Sequence, residues 1–236
     1  MPSAPSRPRP RAGARPLALL FDLDGTLIDS VAFLLSAVRH AFRDRRDRVP
    51  TEAEWIAGIG TPLVAQLRQW CRDDDDLATL VAEYRAYQHA HLDRETRCFP
   101  GVRDALVELH RRGHPIALVT SKGDEIARRS LDVVELTPLF DTIVGADSCE
   151  RHKPDPEPVR VALARLGRPA DEAIFVGDSP HDVASGNAAG VATAAVLWGP
   201  FSRAELAPLR PTHWLEDVSE LIPLVERTEA ARAAGT

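Results

Sequence analysis

Residues 17–30, LALLFDLDGTLIDS, decide the reading of this chain. The apolar run Leu17–Phe21 has strand length and stops at two aspartates, Asp22 and Asp24, and the Asp24-Gly25 pair has turn chemistry. Strand alternation puts Asp22 and Asp24 on the same side unless the turn rotates one of them. Carboxylates at the C-terminal end of a buried parallel strand stand where open α/β sheets build their active sites. Taken alone, the motif is equally well explained as an ordinary strand and turn with two solvated acids.

Three further stretches break that tie. Pro115–Lys122, PIALVTSK, is a second apolar run, ending in hydroxyl residues. Glu150–Pro158, ERHKPDPEP, offers a lysine in a proline-stiffened loop. Ala173–Asp182, AIFVGDSPHD, is a third apolar run ending in Gly-Asp, with another Asp four residues later. All of these stations fall at strand ends or in loops. The chain holds 29 basic residues, and only Lys122 and Lys153 are lysines, both inside these stretches. A chain that uses Arg elsewhere and keeps Lys here needs a compact point charge on a flexible stem. The argument is stronger for Lys153, because Lys122 also reads as a surface lysine at a helix start.

The strand candidates are Leu17–Phe21, Ile116–Thr120, Thr142–Val144, Ala173–Val176 and Ala192–Leu197. Helical patterns separate them: Val102–Arg112 before Gly113, Glu125–Val133, and Glu157–Leu166 before Gly167. This alternation predicts an α/β fold with a parallel sheet and helices on both faces. It breaks between about Ser30 and Glu95, where helical stretches are expected at Ser30–Phe42, Thr51–Trp70 and Asp76–Leu92. Thr51 and Glu54 have the spacing of a capping box, and Gly58–Pro62 suggests a tight loop. The acidic run Asp73–Asp76 is better read as a helix start than as a metal site.

Together the four motifs resemble those of the haloacid dehalogenase-like hydrolases, a family dominated by magnesium-dependent phosphatases. The likeness runs from Leu17 to about Leu221. The helical insertion directly after the first motif is similar to the small α-helical cap of the phosphoglycolate phosphatase-like branch. The resemblance implies a Rossmann-like core at residues 17–29 and 96–225 with a helical cap at 30–95. Residues 1–16 are then a disordered tail and 226–236 a C-terminal tail. Phe99–Gly101 is the expected return hinge.

By the same resemblance Asp22 is the nucleophile, and its carboxylate, ionised at neutral pH, needs no base to attack phosphorus. Asp24 protonates the leaving oxygen and later takes a proton from the water that hydrolyses the aspartyl phosphate. Thr120 and the backbone N–H groups of Leu23 and Asp24 hold phosphoryl oxygens. Ser121 either joins them or caps a helix. Lys153 neutralises charge on Asp22 and on the phosphoryl group. Four aspartates converging with a phosphate dianion require a cation, since two unit charges ~5 Å apart repel by ~3 kcal/mol at an effective dielectric near 20. Magnesium suits few carboxylates plus a substrate phosphate. The implied ligands are Asp22, the Asp24 carbonyl and Asp178. Asp182 acts through water, orients Lys153, or is simply a helix-start acid. Asp29 is expected to cap or hinge, His152 and His181 to be solvated loop residues, and Arg68, Arg94 and Arg97 to be surface arginines.

The expected reaction is hydrolysis of a small phosphorylated metabolite, in the manner of a phosphoglycolate phosphatase. A pyrophosphatase, a phosphosugar mutase and a non-catalytic regulator on the same fold are the alternatives. Asp24 argues against a dehalogenase, which has no leaving oxygen to protonate. The net charge is −6, and residues 1–16 hold four arginines and no acid, so the rest of the chain stands at −10, a poor match to nucleic acid. No apolar run reaches the ~18 residues of a membrane span. The arginine-rich, proline-interrupted first sixteen residues lack the apolar segment of a secretory signal. Three cysteines without metal-ligand spacing fit a reducing cytoplasm.

Overall fold

The computed structural model describes residues 15–234. The expected N-terminal tail, residues 1–16, lies almost entirely outside them. The first strand, β1 (Ala18–Phe21), is buried along its whole length. It is followed by four helices without an intervening strand: α1 (Val31–Ala41), α2 (Glu52–Ala57), α3 (Leu63–Arg68) and α4 (Asp74–Glu95). The chain then alternates: α5 (Val102–Arg111), β2 (Ile116–Val119), α6 (Asp124–Val133), β3 (Thr142–Val144), α7 (Glu157–Leu166), β4 (Ala173–Gly177), α8 (Pro180–Ala189) and β5 (Ala192–Val196). It closes with α9 (Arg203–Leu206), β6 (His213–Leu215) and α10 (Leu221–Ala234).

The six strands form one parallel sheet in the order β3-β2-β1-β4-β5-β6. β1 is central, with Leu19 opposite Ile116 on β2 and Ile174 on β4. The order reverses at β1, so the crevice beyond its C-terminal end is the topological switch point where such sheets bind ligands. Leu19, Phe21, Leu118 and Val176 pack on one face against Leu106, Leu131 and Leu224 of α5, α6 and α10. Leu20, Val119 and Phe175 pack on the other against Val159 and Leu163 of α7. Near-continuous apolar strands are what burial on both faces demands.

The four helices after β1 build their own apolar centre from Leu34, Val38, Trp55, Leu67, Leu80 and Tyr84, continuous with Val183 and Phe201 of the sheet layer. The two passages between this helical module and the sheet run side by side: Ile28 bridges Cys98, and the Phe99 N–H donates to the Leu27 carbonyl at 3.1 Å.

The expected tight loop at Gly58–Pro62 divides the stretch Thr51–Trp70 into two helices, α2 and α3, with Gly60 at φ +98°, and three other local expectations are corrected. The last helix of the module, α4, begins earlier than Asp76, since Asp73 caps it by accepting from the Asp76 N–H at 2.8 Å. A sixth strand, β6, adds to the five expected; only three residues long, with Leu215 alone fully buried, it lacks an apolar run and is recruited by pairing with β5. Residues 226–234 are the second half of α10 rather than a tail, because Leu221, Leu224 and Val225 anchor the helix and Glu229 accepts from the Leu17 N–H at 3.2 Å. Among the described residues no helix is long and apolar enough to cross a membrane, and all three cysteines are free thiols.

Candidate active site

Asp22 is the first residue past β1, and its N–H donates to the Val176 carbonyl of β4 at 2.9 Å. The chain then folds into a tight loop in which the N–H groups of Leu27 and Ile28 both donate to the Leu23 carbonyl. The Leu23 and Asp24 N–H groups donate to no described residue. Gly25 is required here twice over. Its φ is +83°, and a Cβ would lie 2.5 Å from Asp178 Oδ2.

Asp22 is buried, and its Oδ1 accepts from Lys153 Nζ at 2.7 Å. The same ammonium donates to Asp182 Oδ1 at 2.6 Å and reaches the Val119 carbonyl at 3.3 Å, which uses all three of its protons. Asp182 Oδ2 in turn accepts from the N–H and Oγ of Ser179, closing a capping box at the start of α8. Asp182 thus holds Lys153 against Asp22 and caps its helix with its other oxygen.

Asp178 follows β4 and is fully buried. Thr26 Oγ1 donates to its Oδ1 at 2.6 Å, while its Oδ2 is buried with no partner among the described residues. One oxygen from each of Asp22, Asp178 and Asp182 lies within 4.8 Å of the others. Burial, then the charge of Asp182, pushes Asp22 up to about 7 against the pull of Lys153. Burial, then the charges of Asp182 and Asp22, pushes Asp178 well up. Burial alone would lower Lys153, but Asp182 and Asp22 outweigh it and hold the ammonium above the ordinary lysine value. Three buried carboxylates and one ammonium leave a net charge of −2, which one divalent cation would cancel. The partnerless carboxylate oxygen of Asp178 fits such an ion, because a hard cation takes oxygen ligands.

Asp24 faces the cleft from the other side. Its Oδ1 accepts from Ser30 Oγ at 2.6 Å and from Lys122 Nζ at 2.7 Å. Lys122 is therefore a site residue and not a surface lysine, with a side chain only 6% exposed. Its backbone N–H donates to Thr120 Oγ1 at 3.2 Å, so one turn after β2 brings Thr120 and Lys122 together. Ser121 is turned elsewhere, donating from Oγ to the Gly60 carbonyl at 2.5 Å, which ties the helical module to the sheet. His181 is packed under that same loop rather than solvated, and burial lowers its pKa.

These groups line a cleft of about 460 Å³ between the sheet and the helical module. Asp22, Asp24, Thr120, Ser121 and Lys122 form its floor, and Trp55, Gly60, Thr61, Tyr84, Arg85 and Gln88 stand over it. Lys153, Asp178 and Asp182 lie behind Asp22. Asp29 is exposed, its N–H donating to the Arg97 carbonyl, and takes no part. Sequence reasoning passed over Ser30, Thr26, Tyr84, Arg85 and Gln88. Only Lys122 carried a signal, as one of two lysines in the chain.

Residues 19–196 match the haloacid dehalogenase-like hydrolases, and the chain belongs to that family. It is a hydrolase on a Rossmann-like parallel sheet. A pyrophosphatase PpaX from Halalkalibacterium halodurans is 34% identical over 207 residues, spanning 88% of this chain and 95% of the relative. A haloacid dehalogenase-like hydrolase from Streptococcus pneumoniae superposes with a TM-score of 0.76 at 28% identity, over 89% of this chain and 98% of that one. A predicted phosphoglycolate phosphatase from Haemophilus somnus superposes with a TM-score of 0.82 at 23% identity, over 89% and 97% of the two chains, a likeness of fold.

Proposed function

We propose that the protein is a magnesium-dependent phosphatase that hydrolyses a small phosphorylated metabolite through an aspartyl phosphate on Asp22. The observation that carries this reading is the buried pair of Asp22 and Lys153 at the switch point of the sheet, with Asp24 two residues on and the partnerless oxygen of Asp178 beside it. In the reaction Lys153 fixes Asp22 through Oδ1, and the carboxylate attacks phosphorus in line with the leaving oxygen. The N–H groups of Leu23 and Asp24 and the Thr120 hydroxyl hold the phosphoryl oxygens. Asp24 gives its proton to the leaving oxygen, then accepts one from the water that attacks the aspartyl phosphate. Ser30 and Lys122 steady Asp24 for both transfers through a single oxygen, leaving the other for the proton. Magnesium, held by Asp22, the Asp24 carbonyl and Asp178, would offset the burial and the neighbouring carboxylate charge that hold Asp22 near 7 and leave it ionised for attack. Residues 30–95 act as a cap that excludes water and selects the substrate.

The finer assignment lies between a phosphorylated small acid, as the name of the Haemophilus structure suggests, and inorganic pyrophosphate, as the name of the Halalkalibacterium relative suggests. A screen of about twenty phosphorylated metabolites and pyrophosphate tests the reading, run with magnesium and after chelation. Phosphate release that needs magnesium supports it, and undiminished release after exhaustive chelation contradicts it.

A further inference from the structure

The helical module presents a row of unsatisfied polar groups to the cleft. Tyr84, Arg85 and Gln88 lie within one turn and a half of α4, and all three line the cleft above Asp22, Asp24 and Lys122. Tyr84 and Gln88 are 3% and 6% exposed, yet neither side chain makes a hydrogen bond to any described residue. Their polar atoms are not sealed inside the protein but open onto the cleft, where a ligand can pair with them. Burial, and after it the charge of Asp24, raises the Tyr84 hydroxyl pKa. Arg85 differs from the other cleft cations. Lys122 is paired with Asp24, but Arg85 has no ion pair or hydrogen bond among the described residues. On the floor every formal positive charge is already matched by a carboxylate.

Resting on the phosphatase reading, we propose that the substrate carries a second anionic group beyond the transferred phosphoryl group, and that Arg85 and Gln88 bind it. A carboxylate or a second phosphate would accept from the guanidinium and from the Gln88 amide, satisfying both in one step. Arg suits this task because its planar fork matches either anion bidentately. Asp22, Arg85 and Gln88 line one and the same cavity, of about 460 Å³, a size that suits a small substrate. The anion would therefore reach α4 while its phosphoryl group sits against Asp22.

Arg85 is exposed and belongs to none of the buried clusters, so Arg85→Met tests the assignment without threatening the fold. With phosphoglycolate, pyrophosphate, ethyl phosphate and p-nitrophenyl phosphate as substrates, kcat/KM for the first two relative to the last two is expected to fall roughly 10- to 100-fold, mainly through KM. Arg85→Lys should recover part of the loss and Gln88→Leu should reproduce part of it. Whichever of phosphoglycolate and pyrophosphate suffers more identifies the anion as carboxylate or phosphate. An equal change on all four substrates overturns the proposal, as does no change on any. Calorimetric binding of phosphoglycolate and imidodiphosphate to Asp22→Asn protein, with and without Arg85→Met, keeps the test independent of turnover. Weakening of at least tenfold by Arg85→Met supports the site, and equal affinity refutes it. Turnover failing on all four substrates while this binding difference persists would count against the phosphatase reading alone.

Discussion

Replacing Lys153 by methionine removes the only buried cation among Asp22, Asp178 and Asp182 while keeping the volume of the side chain. Its two carboxylate contacts, at 2.7 and 2.6 Å, are each worth ~6 kcal/mol at an effective dielectric near 20 before desolvation is charged against them. Several kcal/mol of that is lost to taking the ammonium out of water, so the expected net destabilisation is about 3–5 kcal/mol, the usual cost of breaking a buried pair from one side. The loss depends on pH with a definite sign. Between pH 5.5 and 8 the lysine is charged in folded and unfolded chains alike, because its pKa is raised in the fold. The pH dependence therefore comes from the carboxylates. Without Lys153, Asp22 rises above its present value of about 7 and takes up a proton as the pH falls, which relieves the unpaired charge. Urea denaturation in chelator should show the full loss at pH 8 and a clearly smaller one at pH 5.5. Turnover should vanish at both. A difference below ~1 kcal/mol at pH 8, or an equal loss at both pH values, would refute the claim that Lys153 neutralises this cluster.

Lys122→Met should lower kcat roughly 10- to 100-fold and cost less stability than Lys153→Met, since it loosens a less buried Asp24 that keeps its Ser30 bond and does not touch Asp22; steady-state kinetics with melting curves checks this. Gly60→Val puts a β-branched residue at φ +98° with its Cβ 2.8 Å from Ser179 Oγ, so the turn must shift and the Ser121 tie with it. It should raise KM and reorder substrates while costing about 1–2 kcal/mol of stability, read from kinetics on several substrates and from urea curves. In chelator the wild-type protein should lose stability as pH rises from about 4 to 7. There the folded state holds a proton on Asp22 that the unfolded chain has released, a contribution of up to ~4 kcal/mol. Added magnesium should then raise the melting temperature more at pH 8 than at pH 5.

The sheet was legible because its strands are short apolar runs closed by polar stations, a signal that burial on both faces enforces. β6 was not, because His213-Trp214-Leu215 has no such pattern and pairs only because β5 offers an edge. The stations themselves, Asp22, Asp24, Thr120, Lys153, Asp178 and Asp182, were legible because each sits at the end of a readable strand or in a turn beside one. What sequence left dark were groups whose meaning depends on tertiary approach. Lys122 looks like any helix-start lysine until the fold sets it on Asp24. Ser121 reads as a phosphate contact or a helix cap until the module brings the Gly60 carbonyl within reach. Tyr84, Arg85 and Gln88 lie on a long polar helix whose face toward the sheet has no distinguishing periodicity. The second half of α10 was lost for a similar reason, its hold on the core being Glu229 reaching the Leu17 N–H.

Reducing the enzyme with borohydride during turnover and mapping the peptides tests whether Asp22 carries the phosphoryl group. Borohydride converts an aspartyl phosphate to homoserine. Homoserine is expected at position 22 when substrate and magnesium are both present and none when either is withheld. Turnover with an unmodified Asp22, or modification at Asp24 or Asp178 instead, would contradict that role for Asp22.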